Sequence, residues 1–382
     1  MNSTVEENLR ILLVEDEEGP AEVLKKTIGE NVGQVDIRVE RDFEQALLLL
    51  KPHSFEAVIL DLFLGHPAQN DKEGQKVWEQ IWKTKLIPVI VHTAGDCDLE
   101  PDIPPNNPFL KCITKHDGSD LEVVQYLQSI LPHILALRRV EIEFNKVIHS
   151  VIEQVSPLIW QAETNDQLRP ELLVRSARRR LAAMMDMKML STGEPMMSWE
   201  QYIYPPIDDS LLTGDLLRQG DGKFDDPDAY RLVLTPSCDL VVRDGKCKVQ
   251  NVLVARCKSQ DDYLKVVAIQ ANVKPKGLDK KILRSRITEP QLGGYVFLPA
   301  YKSILPSMAA HLRDLELIPI TEIDLTDKTK GSFKRITSID SPFREQITWA
   351  YLQIAGRPGV PDRDMDKWTQ EILNMLTSSA KT

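Results

Sequence analysis

The stretch VILDLFLG, Val58 to Gly65, places one carboxylate, Asp61, directly after three apolar residues and before two more. An apolar run of this kind is typical of a strand that is buried on both faces of a parallel sheet. A charge at its end is explained if the strand leaves the core at that point. Asp61 therefore predicts a fold class and also the place of a functional site, because ligands bind at the carboxyl ends of parallel strands.

The residues around Asp61 repeat the same pattern along the chain. Apolar, strand-like runs alternate with stretches of helical period, such as AEVLKKTIGENV (21–32) and DLEVVQYLQSIL (120–131). The strand-like runs are RILLVE (10–15), DIRVE (36–40), AVILDLF (57–63), PVIVHTA (88–94) and LKCITK (110–115). Residues 1–131 are therefore predicted to form an α/β, doubly wound domain with a five-stranded parallel sheet.

Polar side chains stand where these strands end. Glu15 and Asp16 end the first strand, Asp61 the third, Thr93 the fourth and Lys115 the fifth. Crowded carboxylates repel one another, and hard oxygen ligands suit Mg²⁺. A nucleophilic carboxylate beside Mg²⁺, with an ammonium and a hydroxyl to bind phosphoryl oxygens, can form an aspartyl phosphate.

These motifs carry a family resemblance. ILLVEDEE, VILDLFLG, PVIVHTAG and ITKHDG resemble the receiver (CheY-like) domain of two-component response regulators, over residues 9 to about 131. The resemblance implies a flavodoxin-like fold, a sensor histidine kinase as partner and Asp61 as phospho-acceptor. It further implies Mg²⁺ ligation by Glu15, Asp16 and Asp61 with the Phe63 carbonyl.

By the same resemblance, Thr93 is the switch hydroxyl and Lys115 pairs with the phosphoryl group.

The segment AGDCDLEPDIPPNNPF (94–109) departs from the family, because its four prolines disfavour the usual fourth helix. Cys112 stands where receivers usually carry an aromatic residue, and His116 replaces the usual proline after the lysine. We therefore expect a degenerate fourth helix and an altered output face.

The middle of the chain, residues 132–195, is predicted to be a helical hairpin. Pro132 is expected to end the preceding helix, and residues 133–161 carry a heptad-like apolar spacing. A second helix, about 170–191, starts with Pro170 in its first turn. Two interpretations remain open: a spacer packed on a neighbouring domain, or a four-helix bundle that forms a homodimer through 133–190.

Short strands with frequent turns dominate residues 196–382, which predicts a mostly β domain, a small barrel or curled sheet, closed by two helices at about 342–355 and 364–378. The predicted strands are 230–235, 248–257, 264–270, 294–299, 315–320 and 332–339. A catalytic interpretation makes Cys238 a nucleophile assisted by Asp239 or His311. The simpler interpretation is a buried thiol at a strand end.

Two arginines near the C-terminus, Arg344 and Arg357, are candidate anion ligands, although a turn and a helix cap explain them equally well. TPSCDL and SPFRE…GRPGVPD resemble a module of bacterial conflict and phage-defence proteins, which assigns no chemistry.

Composition limits the function classes. Residues 1–135 contain 24 acidic and 12 basic side chains, and the remainder is nearly neutral, so a nucleic-acid binder is disfavoured. Apolar runs are too short to span a bilayer, and the first residues do not form a secretion signal, so we expect a cytoplasmic protein. The five cysteines are odd in number and lack a CxxC pair, which favours reduced thiols.

Together these features predict a response regulator phosphorylated on Asp61. Its output is expected to be protein interaction or the action of a phosphate sink. Such a sink takes phosphoryl groups from a kinase and so keeps a sister response regulator unphosphorylated. The latter resembles the buffer component of the Detocs phage-defence system, a kinase with two receiver proteins. The alternative is a phosphorylation-controlled effector enzyme, a nuclease or hydrolase that uses Cys238, Asp239 or His311.

Overall fold

The structure, a computed structural model of the 382-residue chain, describes the following residues: 8–50, 55–63, 73–84, 87–99, 107–192, 195–207, 210–242, 247–287, 293–325, 331–356 and 364–379. The chain divides into two compact units, residues 1–193 and 194–382. Among the described helices, none is both long enough and apolar enough to cross a bilayer.

Unit 1 is built on a five-stranded, all-parallel sheet in the order β2-β1-β3-β4-β5. Its strands are β1 (Leu9–Val14), β2 (Val35–Glu40), β3 (Ala57–Leu60), β4 (Val89–Thr93) and β5 (Leu110–Thr114). Every residue of β3 and β4 is buried, which explains the apolar runs at 57–60 and 89–91. This is the flavodoxin-like order, so the predicted doubly wound fold is confirmed.

Helices cover both faces of this sheet: α1 (Glu18–Asn31), α2 (Phe43–Leu49), α3 (Gly74–Thr84) and α4 (Ser119–Ala162). On one face, Phe43 of α2 and Trp78 of α3 are buried in a core with residues of β1, β3 and β4. On the other, Leu24 of α1 and Leu127 of α4 pack against alternate residues of the same strands. The sheet is thereby held between two apolar layers.

The connection between β4 and β5 contains no helix in its described residues, 94–99 and 107–109. Three of the four prolines on which the prediction of a degenerate helix rests, at 101, 104 and 105, lie outside the described residues. Cys97 in this connection forms a disulfide with Cys112 of β5, with 6.4 Å between their Cα atoms. The expectation that all five cysteines are reduced is therefore wrong for this pair. The bond joins two cysteines that share no motif spacing, so the sequence alone did not indicate it.

Helix α4 runs without a break for 44 residues, through Pro132 and Pro157. The prediction that Pro132 ends a helix is wrong. A proline inside a helix costs about 3 kcal/mol, but Ile130 and Ile134 on either side of it are buried in the core of unit 1 and offset that cost. Helix α4 therefore belongs both to the sheet domain and to the hairpin.

The predicted helical hairpin is confirmed by α5 (Leu168–Thr192), which packs against α4. Arg180 of α5 donates a 2.7 Å hydrogen bond to the side chain of Gln154 of α4. Near the turn, Arg169 donates to the carbonyl of Glu163 at 2.8 Å.

Unit 2 contains an eight-stranded sheet in the order β10-β11-β9-β8-β7-β13-β12, with β6 paired to β13. Its strands are β6 (Tyr202–Ile203), β7 (Asp215–Gln219), β8 (Tyr230–Val233), β9 (Asn251–Ser259), β10 (Tyr295–Leu298), β11 (Met308–Pro319), β12 (Ile323–Asp324) and β13 (Phe333–Ile339). Its helices are α6 (Ser237–Leu240), α7 (Gln260–Gln270), α8 (Lys280–Arg286), α9 (Phe343–Ala355) and α10 (Met365–Ser379). The mostly β composition and the two final helices are confirmed; β10 and β12 end the described sheet, which is open instead of a closed barrel.

One predicted strand of unit 2, residues 264–270, is wrong because this segment belongs to α7. The side chain of Ser259 accepts a hydrogen bond from the backbone N–H of Asp262 and so caps the helix. Tyr263 and Val267, four residues apart, are buried on one helix face. A short apolar run cannot by itself separate a buried strand from a buried helix.

Candidate functional site

The carboxyl ends of the unit 1 strands converge on Asp61. Its Oδ1 accepts hydrogen bonds from the Thr93 hydroxyl at 2.8 Å and from the Phe63 backbone N–H at 3.2 Å. Its Oδ2 accepts from the Lys115 ammonium at 2.6 Å. Asp61 is only 6% exposed, so these donors replace water around a nearly buried carboxylate.

Lys115 joins Asp61 to a second buried carboxylate. Its Nζ lies 2.7 Å and 3.0 Å from the two carboxylate oxygens of Glu15, which is 2% exposed. Burial raises the pKa of Glu15 to about 7, against the opposing effect of Lys115. Burial opposes the charge on Lys115, but its hydrogen bond to Asp61 and the attraction of both carboxylates raise its pKa.

Three carboxylates can contribute to one cation site. One carboxylate oxygen from each of Glu15, Asp16 and Asp61 lies within 4.8 Å of the other two. At full ionisation these groups and Lys115 leave two net negative charges, which a divalent cation balances. Hard oxygen donors suit Mg²⁺, so the donor set fits this ion. Ligation by the Phe63 carbonyl stays a prediction.

Two glycines that sequence reasoning missed allow the backbone to pack closely around Asp61. A Cβ on Gly74, the first residue of α3, would lie 2.2 Å from the carbonyl oxygen of Asp61. A Cβ on Gly95 would lie 2.4 Å from the ring of Phe63. The signals in the sequence were a glycine at the start of a helix and another two residues after a strand, and each of these signals is weak alone.

His92 was also missed, although it is a polar residue inside an apolar strand. It is 4% exposed, and its Nε2 lies 2.8 Å from the hydroxyl of Ser119, the first residue of α4. The same hydroxyl accepts from the backbone N–H of His116 at 3.2 Å. Burial lowers the pKa of His92. The strand that carries Thr93 is thus linked to the start of the long helix.

The candidate residues of unit 2 are not brought together in the same way. Cys238 is exposed on α6, so its interpretation as a buried thiol is wrong, and its Sγ is 3.7 Å from Asp239. Asp239 pairs with Lys248 at 3.2 Å. His311 is on β11, and β9 separates β11 from β8, the strand that precedes α6. Two strand spacings place β11 about 10 Å from β8 across the sheet. The ring of His311 stacks on that of Tyr295.

Of the two candidate anion-binding arginines, only Arg344 is among the described residues. Arg344 makes a 3.2 Å ion pair with its neighbour Glu345, and its aliphatic portion lies against Gly214. Arg357 lies outside the described residues.

No protein-family model matches the chain, and no curated protein matches it. Among solved structures, it is similar to the signal receiver domain of an HD domain-containing protein from Pseudomonas fluorescens, with 23% identity, 34% of this chain and 98% of that chain covered, and a TM-score of 0.27. A response regulator receiver protein from Sinorhizobium medicae is 16% identical over the same shares, with a TM-score of 0.28. A chain from the complex of histidine kinase ThkA with response regulator TrrA is 23% identical, with 31% of this chain and 98% of that chain covered and a TM-score of 0.24. Each match spans about a third of this chain.

Proposed function

We propose that this chain is a response regulator in which Asp61 accepts a phosphoryl group from a histidine kinase. The observation that carries the proposal is the set of contacts on Asp61: a hydroxyl on one carboxylate oxygen, an ammonium on the other, and two further carboxylates beside them. This arrangement provides a nucleophile together with the groups that bind an incoming phosphoryl group.

Asp61 is the nucleophile of the proposed reaction, and the residues around it bind the phosphoryl group. A carboxylate oxygen of Asp61 attacks phosphorus, and the bond to the donor breaks. Lys115 and Thr93 then bind the phosphoryl oxygens from positions that are already fixed, which is the main source of transition-state stabilisation in such reactions. Glu15, Asp16 and Asp61 would hold Mg²⁺, which when bound neutralises charge on the phosphoryl oxygens.

Mass spectrometry of the full chain tests this proposal. The protein is incubated with Mg²⁺ and either its kinase or acetyl phosphate, and the phosphorylated residue is mapped. We expect one phosphoryl group on Asp61 and none on an Asp61→Asn variant. Asp36→Asn, which changes an exposed carboxylate on β2, is the matched control and should be labelled like the unaltered chain. Equal labelling of Asp61→Asn would reject the proposal.

We further propose that the output is protein interaction or a phosphate sink. The missing helix in 94–99 and 107–109 supports a sink, because a sink needs the acceptor site but not the usual output face. A kinase shared with a sister response regulator should label the sister more slowly when this chain is added, and at the original rate when Asp61→Asn is added. A sister that is labelled at the same rate in both mixtures would exclude a sink.

A role in phage defence rests on the sequence resemblance alone, and phage challenge of cells that lack this chain tests it.

No observation favours the effector-enzyme alternative, since Cys238, Asp239 and His311 form no shared site. Cys238→Ala and His311→Ala variants should keep full cellular function. Loss of function in either variant would restore that alternative.

The helical hairpin is proposed to form a homodimer. Large apolar side chains of α4 and α5 remain exposed, including Ile152, Leu158 and Val174. Sedimentation of the full chain should show a dimer that is weakened by Ile152→Glu and unaffected by Glu153→Gln on the same helix. A monomer at all concentrations would leave the hairpin as a spacer.

A further inference from the structure

The disulfide between Cys97 and Cys112 connects the two segments that hold Asp61. Thr93, which donates to Oδ1, precedes Cys97 by four residues, and Lys115, which donates to Oδ2, follows Cys112 by three. We propose that this bond is a redox site, made and broken by exchange with small thiols of the glutathione class, and that it sets the rate at which Asp61 is phosphorylated. The inference rests on the proposed phosphorylation of Asp61.

The bond lies close to the acceptor site. Cys112 pairs in the sheet with Val91, two residues before Thr93. Cys97 and Cys112 both pack against the core that contains Phe63 and Leu99. Since no helix orders residues 94–99, the disulfide is the covalent restraint on the loop that follows Thr93. Its presence limits how far the Thr93 hydroxyl can move from Asp61.

Both cysteines are partly exposed, so small thiols can reach them. Oxidation removes two electrons and two protons from the Cys97 and Cys112 thiols and forms their S–S bond. Glutathione disulfide accepts both and becomes two glutathione thiols, through a mixed disulfide. In the reverse direction, two glutathione thiols reduce the bond. Asp96 and Asp98 are exposed beside Cys97 and repel an anionic thiolate, so attack at Cys112, next to Lys111, is favoured.

The disulfide affects phosphorylation through the position of Thr93. In the oxidised chain, the Thr93 hydroxyl is held 2.8 Å from Asp61, where it can bind a phosphoryl oxygen without reorganising. In the reduced chain, the loop gains freedom and the hydroxyl is in place for less of the time. Complete removal of one such donor costs about 10²–10³ in rate. Loosening a donor costs less, and we expect reduction to slow the phosphorylation of Asp61 about three- to tenfold.

The experiment compares the oxidised and reduced full chain. Protein equilibrated with glutathione disulfide or with dithiothreitol is alkylated and mapped, to establish whether Cys97 and Cys112 are bonded. Each sample then receives acetyl phosphate and Mg²⁺, and the initial rate of Asp61 phosphorylation is measured by intact mass. Cys112→Ser removes the bond, whereas Cys247→Ser removes a cysteine of unit 2 and is the matched control.

The proposal predicts that the oxidised chain and oxidised Cys247→Ser are labelled about three- to tenfold faster than their reduced forms. Cys112→Ser should be labelled at the slow rate in both conditions. Thr93→Ala should be labelled slowly in both the oxidised and the reduced sample, at a rate that does not depend on redox state. A disulfide with a purely structural role would not explain why the redox effect requires Thr93.

Two results would overturn the redox proposal while phosphorylation of Asp61 stands. One is an equal labelling rate in samples whose mapping shows the bond made and broken. The other is alkylation of Cys97 and Cys112 even after treatment with glutathione disulfide. Failure of both redox forms to label Asp61 would instead reject the proposed function, and the redox proposal with it.

Discussion

Replacement of Lys115 by methionine tests the electrostatics of the site directly. The Lys115 side chain is 20% exposed, and its ammonium contacts Asp61 and Glu15, both nearly buried. Removal of one partner from a buried ion pair costs about 3–5 kcal/mol. Because water reaches part of Lys115, we take the lower limit and expect Lys115→Met to lose about 3 kcal/mol of unfolding free energy at pH 8.

The loss should depend on pH in a defined direction. The pKa of Glu15 is raised from 4.5 to about 7, so the folded chain binds more protons than the unfolded chain between these values. Its contribution to stability is therefore present at low pH and declines as the pH rises toward 7. At pH 6, Glu15 is mostly protonated and Lys115 stabilises mainly Asp61, so the loss should fall to about 1.5 kcal/mol.

Hydrogen exchange in β1 and β3, measured on the full chain without Mg²⁺ and corrected for intrinsic exchange rates, gives these free energies. Lys111→Met is the control: it changes an exposed lysine of β5, the strand that Lys115 directly follows, and should lose less than about 0.5 kcal/mol. Added Mg²⁺ should restore Lys115→Met, because the cation supplies the missing positive charge. A loss equal at pH 6 and pH 8, or equal to that of Lys111→Met, would refute the reasoning.

Three further outcomes follow from the structure. Gly74→Ala places a Cβ 2.2 Å from the backbone oxygen of Asp61 and should lose more than about 2 kcal/mol by hydrogen exchange; Gly19→Ala, with open space in a helix, should not lose stability. Because the pKa of His92 is lowered, its contribution to the unfolding free energy is present above about pH 6.5 and is lost as the pH falls below that value. Thermal melts should therefore show that His92→Gln is less sensitive to acid than the unaltered chain. Equal sensitivity of the two proteins would count against this prediction. Cys97→Ser opens a loop of 15-residue separation and should lose up to about 3 kcal/mol in urea unfolding without reductant, and nothing with dithiothreitol; a loss in both conditions would point to packing instead.

The cluster of polar side chains around Asp61 could be predicted because its signals are local. An apolar run that ends in a carboxylate, as at Asp61, identifies a buried strand and the point where it reaches the surface. Parallel strands bring such ends together, so Glu15, Thr93 and Lys115 followed from the fold. The bond between His92 and Ser119 could not be predicted in this way, because it joins the side of one strand to a helix that starts 27 residues later.

Features that depend on tertiary contacts were predicted less well. Pro132 normally ends a helix, but burial of Ile130 and Ile134 outweighs that local preference. The run at 264–270 looked like a strand, and its helical state depends on the Ser259 cap and on a core that accepts Tyr263. In unit 2, Cys238 and His311 looked like catalytic partners by residue type, and only the sheet order shows that they are separated.

Helix α4 connects the region around Asp61 to the helical hairpin, and this connection bears on the proposed choice between sink and regulator. His92, beside Thr93, is bonded to Ser119, and from there α4 continues for 44 residues, about 66 Å. A small tilt at the start of so long a helix becomes a large displacement at its end. The lack of a helix in residues 94–99 and 107–109 therefore does not isolate Asp61 from the rest of unit 1. Hydrogen exchange in residues 140–162 separates the two roles: a sink predicts the same protection before and after phosphorylation of Asp61, whereas a regulator that acts through the hairpin predicts a change there, and unchanged protection would rule that regulator out.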